Sequence, residues 1–335
     1  MPSKKDLLAA ALRFSGAGSV LDAMKAWRGL IVLNYHRIGD PRSSELDRGV
    51  FSATAEDFEA QLRAVARHCD VISVKDLDRA RLDRKGRYAM ITFDDGYRDN
   101  FTDAFPVLRD LRLPAVFFLT SGYLDHQLVA WWDEIAWMVR SSTCEVLPVN
   151  SWFAERLDLL PPHREESINR LLSVYKGLSW EETEPYLEFL ADATGAGRCQ
   201  PDQVRSLWMT WDMVRAMHQV GLDFGGHTVT HPILSRLTPA SQLREIADNK
   251  QRIEDELKTT IEAFSYPVGA PDAFDAETFA CLDRVGYRYG FSFYGGFTPA
   301  EQLQPFDIPR LAVSPELTPT RLNALLTLPQ VFADR

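Results

Sequence analysis

Seven short apolar runs recur along the chain and constrain its fold more than any other feature. They read "LIVLNYH" at 30–36, "YAMITF" at 88–93, "AVFFLT" at 115–120, "LDFGG" at 222–226, "EAFSYP" at 262–267, "YRYGFSF" at 287–293 and "DIPRLAV" at 307–313. Most are continuously apolar rather than alternating, as expected of strands buried on both faces of a parallel sheet. Helix-like sequence fills the intervals. "TAEDFEAQLRAVARHC" opens on Thr54 as an N-cap and carries apolar residues at helical spacing. "TPASQLREIADNKQRIEDELK" opens on Thr238, with Pro239 at the first helical position. This alternation predicts an α/β chain made of βα units, folded as a parallel sheet or barrel.

One interval breaks the rhythm. Between about residues 123 and 208 no strand pattern stands out, while "WWDEIAWMVR" and "SWEETEPYLEFLADA" read as helices, the second with Ser179 and Glu182 in a capping box. The interval is expected to be a helical insertion after the third strand. It holds Trp131, Trp132, Trp137, Trp152, Trp180 and Trp208. Most should build its core; the alternative is that one or two line a sugar-binding cleft by stacking.

Residues 1–27 read as an N-terminal helical segment, with Leu7, Leu8, Ala11 and Leu12 on a face expected to pack against the protein. Its apolar run breaks at Arg13, short of a signal-peptide core. No stretch approaches the roughly 20 apolar residues of a membrane span. A cytoplasmic protein is expected, with peripheral membrane contact left open. The four cysteines, Cys69, Cys144, Cys199 and Cys281, lack metal-knuckle or redox spacing and are expected to be reduced core thiols. With 47 acidic against 37 basic residues, the net charge of −10 argues against a nucleic-acid partner.

Chemistry concentrates in two places. "ITFDDGYRDN" puts Asp94 and Asp95 side by side where a strand ends. Like charges that close disfavour each other's ionisation, so a cation should offset them. "GGHTVTHP" puts His227 and His231 four apart after another strand, and Pro232 disfavours helical backbone at His231. In parallel α/β folds the C-terminal strand ends gather on one face, where ligands bind. The four residues should therefore converge. Two imidazoles and one carboxylate suit Zn²⁺ or another divalent transition metal, leaving the second carboxylate as a base.

"TFDDG" followed by "HTVTH" resembles the polysaccharide deacetylase family, the NodB-homology domain of carbohydrate esterase family 4. The resemblance spans roughly residues 30–313 apart from the insertion, and the domain itself is taken as 28–335. It implies a distorted (β/α)₇ barrel of parallel strands with a helical insertion. It also implies a metal ion, most simply Zn²⁺, held by Asp95, His227 and His231, with Asp94 as catalytic base. "FSYPVG" resembles the third family motif, but Ser265 stands where the family has an arginine that orients the base. Tyr266 is taken as the residue whose backbone N–H helps bind the oxyanion. The family's late histidine, its general acid, has no counterpart, since His231 is the last histidine. His36, at the end of the first strand, and Arg310, in the last strand, are the candidates to supply the acid and to orient the base; His126 is an outlying third.

The resemblance implies a carbohydrate deacetylase, a hydrolase of linear amides that removes an N-acetyl or related acyl group. The expected substrate is an acetylated sugar, nucleotide-sugar or lipid-linked saccharide of cell-envelope biosynthesis. Two alternatives stand beside it: a metal amidase or deformylase acting on a non-polysaccharide amine, and a catalytically silent sugar-binding module.

Overall fold

A computed structural model describes residues 4–333. The seven apolar runs form most of its central sheet: β1 (Gly29–Tyr35), β2 (Arg87–Phe93), β3 (Val116–Leu119), β4 (Asp223–Gly226), β5 (Ala263–Ser265), β6 (Tyr289–Ser292), and a last run divided into β7 (Ile308–Pro309) and β8 (Leu311–Ala312), with the short strands Asp70–Val71 beside β2 and Phe297–Thr298 beside β1. β1 to β7 lie side by side in chain order, all parallel. β7 pairs with β6 through Phe291 opposite Ile308, and β8 pairs with β1 through Leu33 opposite Leu311. The seventh run therefore bridges the first and sixth strands and closes a barrel, with a one-residue break at Arg310.

Strand residues alternate sides, and burial divides accordingly. Leu30, Val32, Tyr88, Met90, Val116, Phe118, Ala263, Phe291 and Ile308 share the core inside the barrel. Ile31, Leu33, Ala89, Ile91, Phe93, Phe117, Leu119, Phe224 and Phe264 belong to the larger core beneath the helices. Continued upward, the inward series reaches Asn34, Asp94, Ser265 and Arg310, a polar layer at the C-terminal mouth.

Helices cover the outside. α1 (Lys4–Phe14) and α2 (Ala17–Ala23) precede β1; α3 (Ala55–His68) and α4 (Leu77–Leu82) join β1 to β2; α5 (Phe105–Leu111) leads to β3. Between β3 and β4 come α6 (Ser121–His126), α7 (Trp131–Arg140), α8 (Arg164–Gly177), α9 (Trp180–Thr194) and α10 (Trp211–Gln219). α11 (Pro239–Leu257), α12 (Ala276–Val285) and α13 (Pro319–Thr327) complete the layer. The N-caps form as the sequence dictates: the Thr54 hydroxyl accepts from the Asp57 N–H, and Thr238 from Ser241. Ser179 and Glu182 close their capping box on α9.

The insertion is helical, but it also holds an antiparallel pair, Val146–Leu147 with Leu157–Asp158. Two-residue strands are too short to leave a periodic signal. Most of the insertion's tryptophans are packed: Trp131 stacks on Tyr175 at 4.2 Å and Trp208 on Tyr123 at 4.3 Å. Trp180 is the exception, 45% exposed. At the N-terminus only part of the expected packing face meets the protein: Leu12 is half-buried against the core, while Ala11 is exposed. Leu7 and Leu8 are exposed, while Ala9 is buried and joins the main core. α1 packs against α13. Cys69, Cys199 and Cys281 are buried thiols, but Cys144 is exposed. No helix among the described residues is long and apolar enough to cross a membrane.

Candidate active site

At the barrel mouth a cavity of about 320 Å³ is lined by Asp94, Asp95, His36, His227 and His231, among others. Asp94 ends the inward series of β2 and points into the mouth. The next residue, Asp95, has φ +73°, in the left-handed region. A non-glycine residue there is strained, and such strain clusters at functional sites. The twist sends its carboxylate to the histidines instead of to Asp94's side.

One ligand atom from each of Asp95, His227 and His231 lies within 4.8 Å of the others. Asp95 Oδ1 is 3.5 Å from Nε2 of His227 and 3.5 Å from Nε2 of His231. That oxygen is buried and has no hydrogen-bond partner among the described residues. A buried carboxylate oxygen without a donor, faced by two imidazole nitrogens, is the arrangement a divalent ion satisfies. His227 Nδ1 sits 2.7 Å from the Ser265 carbonyl. A carbonyl only accepts, so Nδ1 carries the proton and Nε2 presents its lone pair to the centre. Burial and the neighbouring His227 push the His231 pKa down to about 3, which keeps that imidazole neutral as a ligand must be. For His227 burial lowers the pKa, but Asp94 and Asp95 outweigh it and raise the value.

The loop bearing the histidines is clamped by α11. Asn249 accepts the His227 N–H at 3.1 Å and donates to the carbonyls of Leu119 and Thr228. One turn earlier, Glu245 takes the N–H groups of Val229 and Thr230 at 2.8 and 2.9 Å. His231 itself has φ +59°, a left-handed turn rather than the extended backbone favoured before proline.

Asp94 has a different environment. Arg310, fully buried, grips it with two parallel bonds, Nη1 to Oδ1 at 2.8 Å and Nη2 to Oδ2 at 2.9 Å. Asn34 donates to the same carboxylate at 3.1 Å. Burial alone would raise the Asp94 pKa; the guanidinium overrides it and holds the carboxyl far below the usual range. Arg310 also bonds the Ser265 hydroxyl at 2.8 Å, Asn34 Oδ1 at 2.6 Å and the Ser292 carbonyl at 3.0 Å. The small side chain of Ser265 thus leaves space into which Arg310, from the break in the last strand, reaches.

His36 sits just beyond β1, its Nε2 3.9 Å from Asp94 Oδ2 and its ring part-exposed to the cavity. Its backbone is pinned on both sides, by Ser52 Oγ at 3.0 Å and by Asn100 at 2.7 Å. His126 ends α6, exposed and outside the cavity lining.

Tyr266 requires a correction. Its backbone N–H is spent on the Phe291 carbonyl at 3.1 Å, its hydroxyl on the Phe306 carbonyl at 2.7 Å, and its ring stacks on Phe274. It lines the cavity with no donor to offer. Two residues on, Val268 also lines the cavity, has φ +63° and makes no hydrogen bond through its N–H among the described residues. Sequence reasoning missed it by assigning the donor to Tyr266, two residues earlier. The sequence carries only a partial signal: Pro267 lacks an N–H, so the next backbone donor after Tyr266 belongs to Val268.

Behind His231 runs a buried polar chain. The Trp132 indole, packed edge-on to His231 at 4.6 Å, donates to the Tyr97 hydroxyl at 2.8 Å. Tyr97 in turn donates to Asp133 at 3.1 Å. Burial pushes the Asp133 pKa up to about 7.

This geometry agrees with the comparisons. The sequence profile described as polysaccharide deacetylase matches residues 81–167 and 179–290. YxkH of Bacillus subtilis, which carries the name of a putative polysaccharide deacetylase, is 22% identical over 237 residues, or 71% of this chain. The chain spans about half of that relative's length, 55%. Among solved structures, the Streptococcus pyogenes deacetylase PplD in complex with acetate aligns with TM-score 0.58 at 18% identity, covering 89% of this chain and 97% of its own. IcaB from Ammonifex degensii aligns at 0.54 and 19%, covering 90% and 97%. These likenesses establish the barrel. The profile covers more than half the chain, and both of its sequence signatures meet at one strand-end cavity, so this chain belongs to the polysaccharide deacetylase family.

Proposed function

We propose that the protein is a metal-dependent hydrolase that removes an N-acetyl group from an amino sugar in a glycan or glycan precursor. The observation that carries this reading is the unpartnered Asp95 oxygen between His227 and His231, beside an Asp94 locked by Arg310. Asp95, His227 and His231 would hold a divalent transition ion, with Zn²⁺ suited to this ligand set. When bound, the ion supplies Lewis-acid polarisation and acidifies water.

The chain's own residues do the rest. Asp94 stays ionised because Arg310 stabilises its charge, and the two-pronged grip fixes its orientation toward the mouth. It takes the proton of the attacking water. The N–H of Val268, a cavity-lining residue, makes no hydrogen bond among the described residues and would meet the negative oxygen that forms on the acyl carbon, a contact worth about 3–4 kcal/mol in comparable sites. His36, 3.9 Å from Asp94, delivers a proton to the departing nitrogen, without which an amine leaves poorly. Acetate and a free amino sugar result. We place the reaction in the cytoplasm, in cell-envelope glycan synthesis.

The test is elemental analysis followed by a mass-spectrometric screen of the metal-loaded protein against N-acetylated and N-formylated sugars and oligosaccharides. About one transition ion per chain and loss of one acetyl mass are expected. A protein that neither carries nor takes up Zn²⁺ or Co²⁺ would overturn the reading.

A further inference from the structure

The loop that carries His231 also walls a second cavity, of about 260 Å³. Val229, Pro232 and Leu237 give it apolar surface; Trp180, Arg244 and Asp248 line it as well. Pro232, which lines this cavity, directly follows His231, which lines the metal-site cavity.

Three features of the lining have no role in the fold. Trp180 is the only tryptophan among the exposed large hydrophobic side chains of the described residues. Its helix is capped by Ser179 and Glu182, so the indole is not needed there. Arg244 and Asp248 lie one helical turn apart on α11, a spacing that permits an ion pair, yet they form none. Arg244 makes one long bond to Ser241, at 3.4 Å, and Asp248 makes no hydrogen bond or ion pair among the described residues.

An open aromatic face beside uncommitted planar polar groups matches a pyranose ring, which offers a C–H face to stack and hydroxyls that both donate and accept. One cation and one anion favour a neutral sugar over a phosphorylated or acidic one. We propose that Trp180, Arg244 and Asp248 form a sugar-binding subsite. It would hold a neutral acetamido-sugar unit of an oligosaccharide whose scissile acyl group lies in the metal-site cavity. The proposal rests on the deacetylase reading, and it makes the substrate an oligosaccharide rather than a nucleotide-sugar.

The metal-loaded full chain is given the monomer and the pentamer of N-acetylglucosamine, with acetate release and calorimetric binding both measured. The pentamer should be preferred. Trp180→Ala should weaken the pentamer on the order of tenfold, leave the monomer unchanged and be largely reversed by Trp180→Phe. Arg244→Ala provides a second variant should Trp180→Ala fold poorly, with the same selective loss expected. Equal effects on monomer and pentamer, or no effect on either, would overturn the subsite, as would absent pentamer binding. Binding that depends on Trp180 without acetate release would leave the subsite standing and refute the deacetylase reading.

Discussion

Asp94 and Asp95 are neighbours in sequence with nearly opposite surroundings, and their substitutions should separate. Asp95→Asn should lose metal, because its oxygen faces two imidazoles and no donor. Asp94→Asn should keep metal and lose turnover. Metal content and acetate release on both variants check this, and equal metal loss would refute the division. His36→Ala should retain metal and fold while kcat falls roughly 10²–10⁴-fold, the range for general acid–base catalysis. An aryl acetate, whose leaving group needs no proton, should lose much less, and comparing the two substrates tests the acid role. The Asp and His pairs were legible because each sits in one contiguous motif. Arg310 was visible only as a candidate, since its carboxylate partner lies 216 residues away and no local pattern records that pairing. Tyr266 was misjudged because a donor's availability depends on its strand partner, here the Phe291 carbonyl, which sequence does not display.

At the scale of elements, the apolar runs revealed all seven parallel segments that lie in chain order, whereas short strands outside those runs, Asp70–Val71 beside β2 and the insertion's antiparallel pair, left no signal. The outward turn of Leu7 and Leu8 shows the limit of helical periodicity: it marks an apolar face without saying which side meets the barrel. α11 shows the reverse case, a helix whose periodicity is plain but whose buried Asn249 carries unadvertised work. That amide fixes the loop between β4 and His231 through bonds to His227, Leu119 and Thr228. Asn249→Ala should therefore lower metal affinity about 10–100-fold without touching the ion, as loss of a ligand-orienting partner does elsewhere. Competition with a chelator measures it; unchanged affinity would mean that Glu245 alone holds the loop.

For the whole molecule, Asp133 sets a pH dependence. Its folded pKa is about 7 against an ordinary 3.8, so between these values the folded state holds more proton than the unfolded one. This group's contribution is complete below about pH 4 and is lost as pH rises through 7. Urea denaturation at pH 5 and 7.5 should show wild type losing stability relative to Asp133→Asn as pH rises. A constant difference would place the Asp133 pKa elsewhere.

Arg310 occupies the one-residue break between β7 and β8, where the last strand turns from β6 to β1. Fastening the cylinder and restraining the base are therefore a single event. Any excursion that unzips this seam withdraws the guanidinium from Asp94 before the other strands have parted. Catalytic output then acts as a gauge of closure: in rising urea, turnover should fade at concentrations where far-ultraviolet circular dichroism still reports intact helices. Coincident loss of both signals would mean that the seam holds as firmly as the rest of the wall.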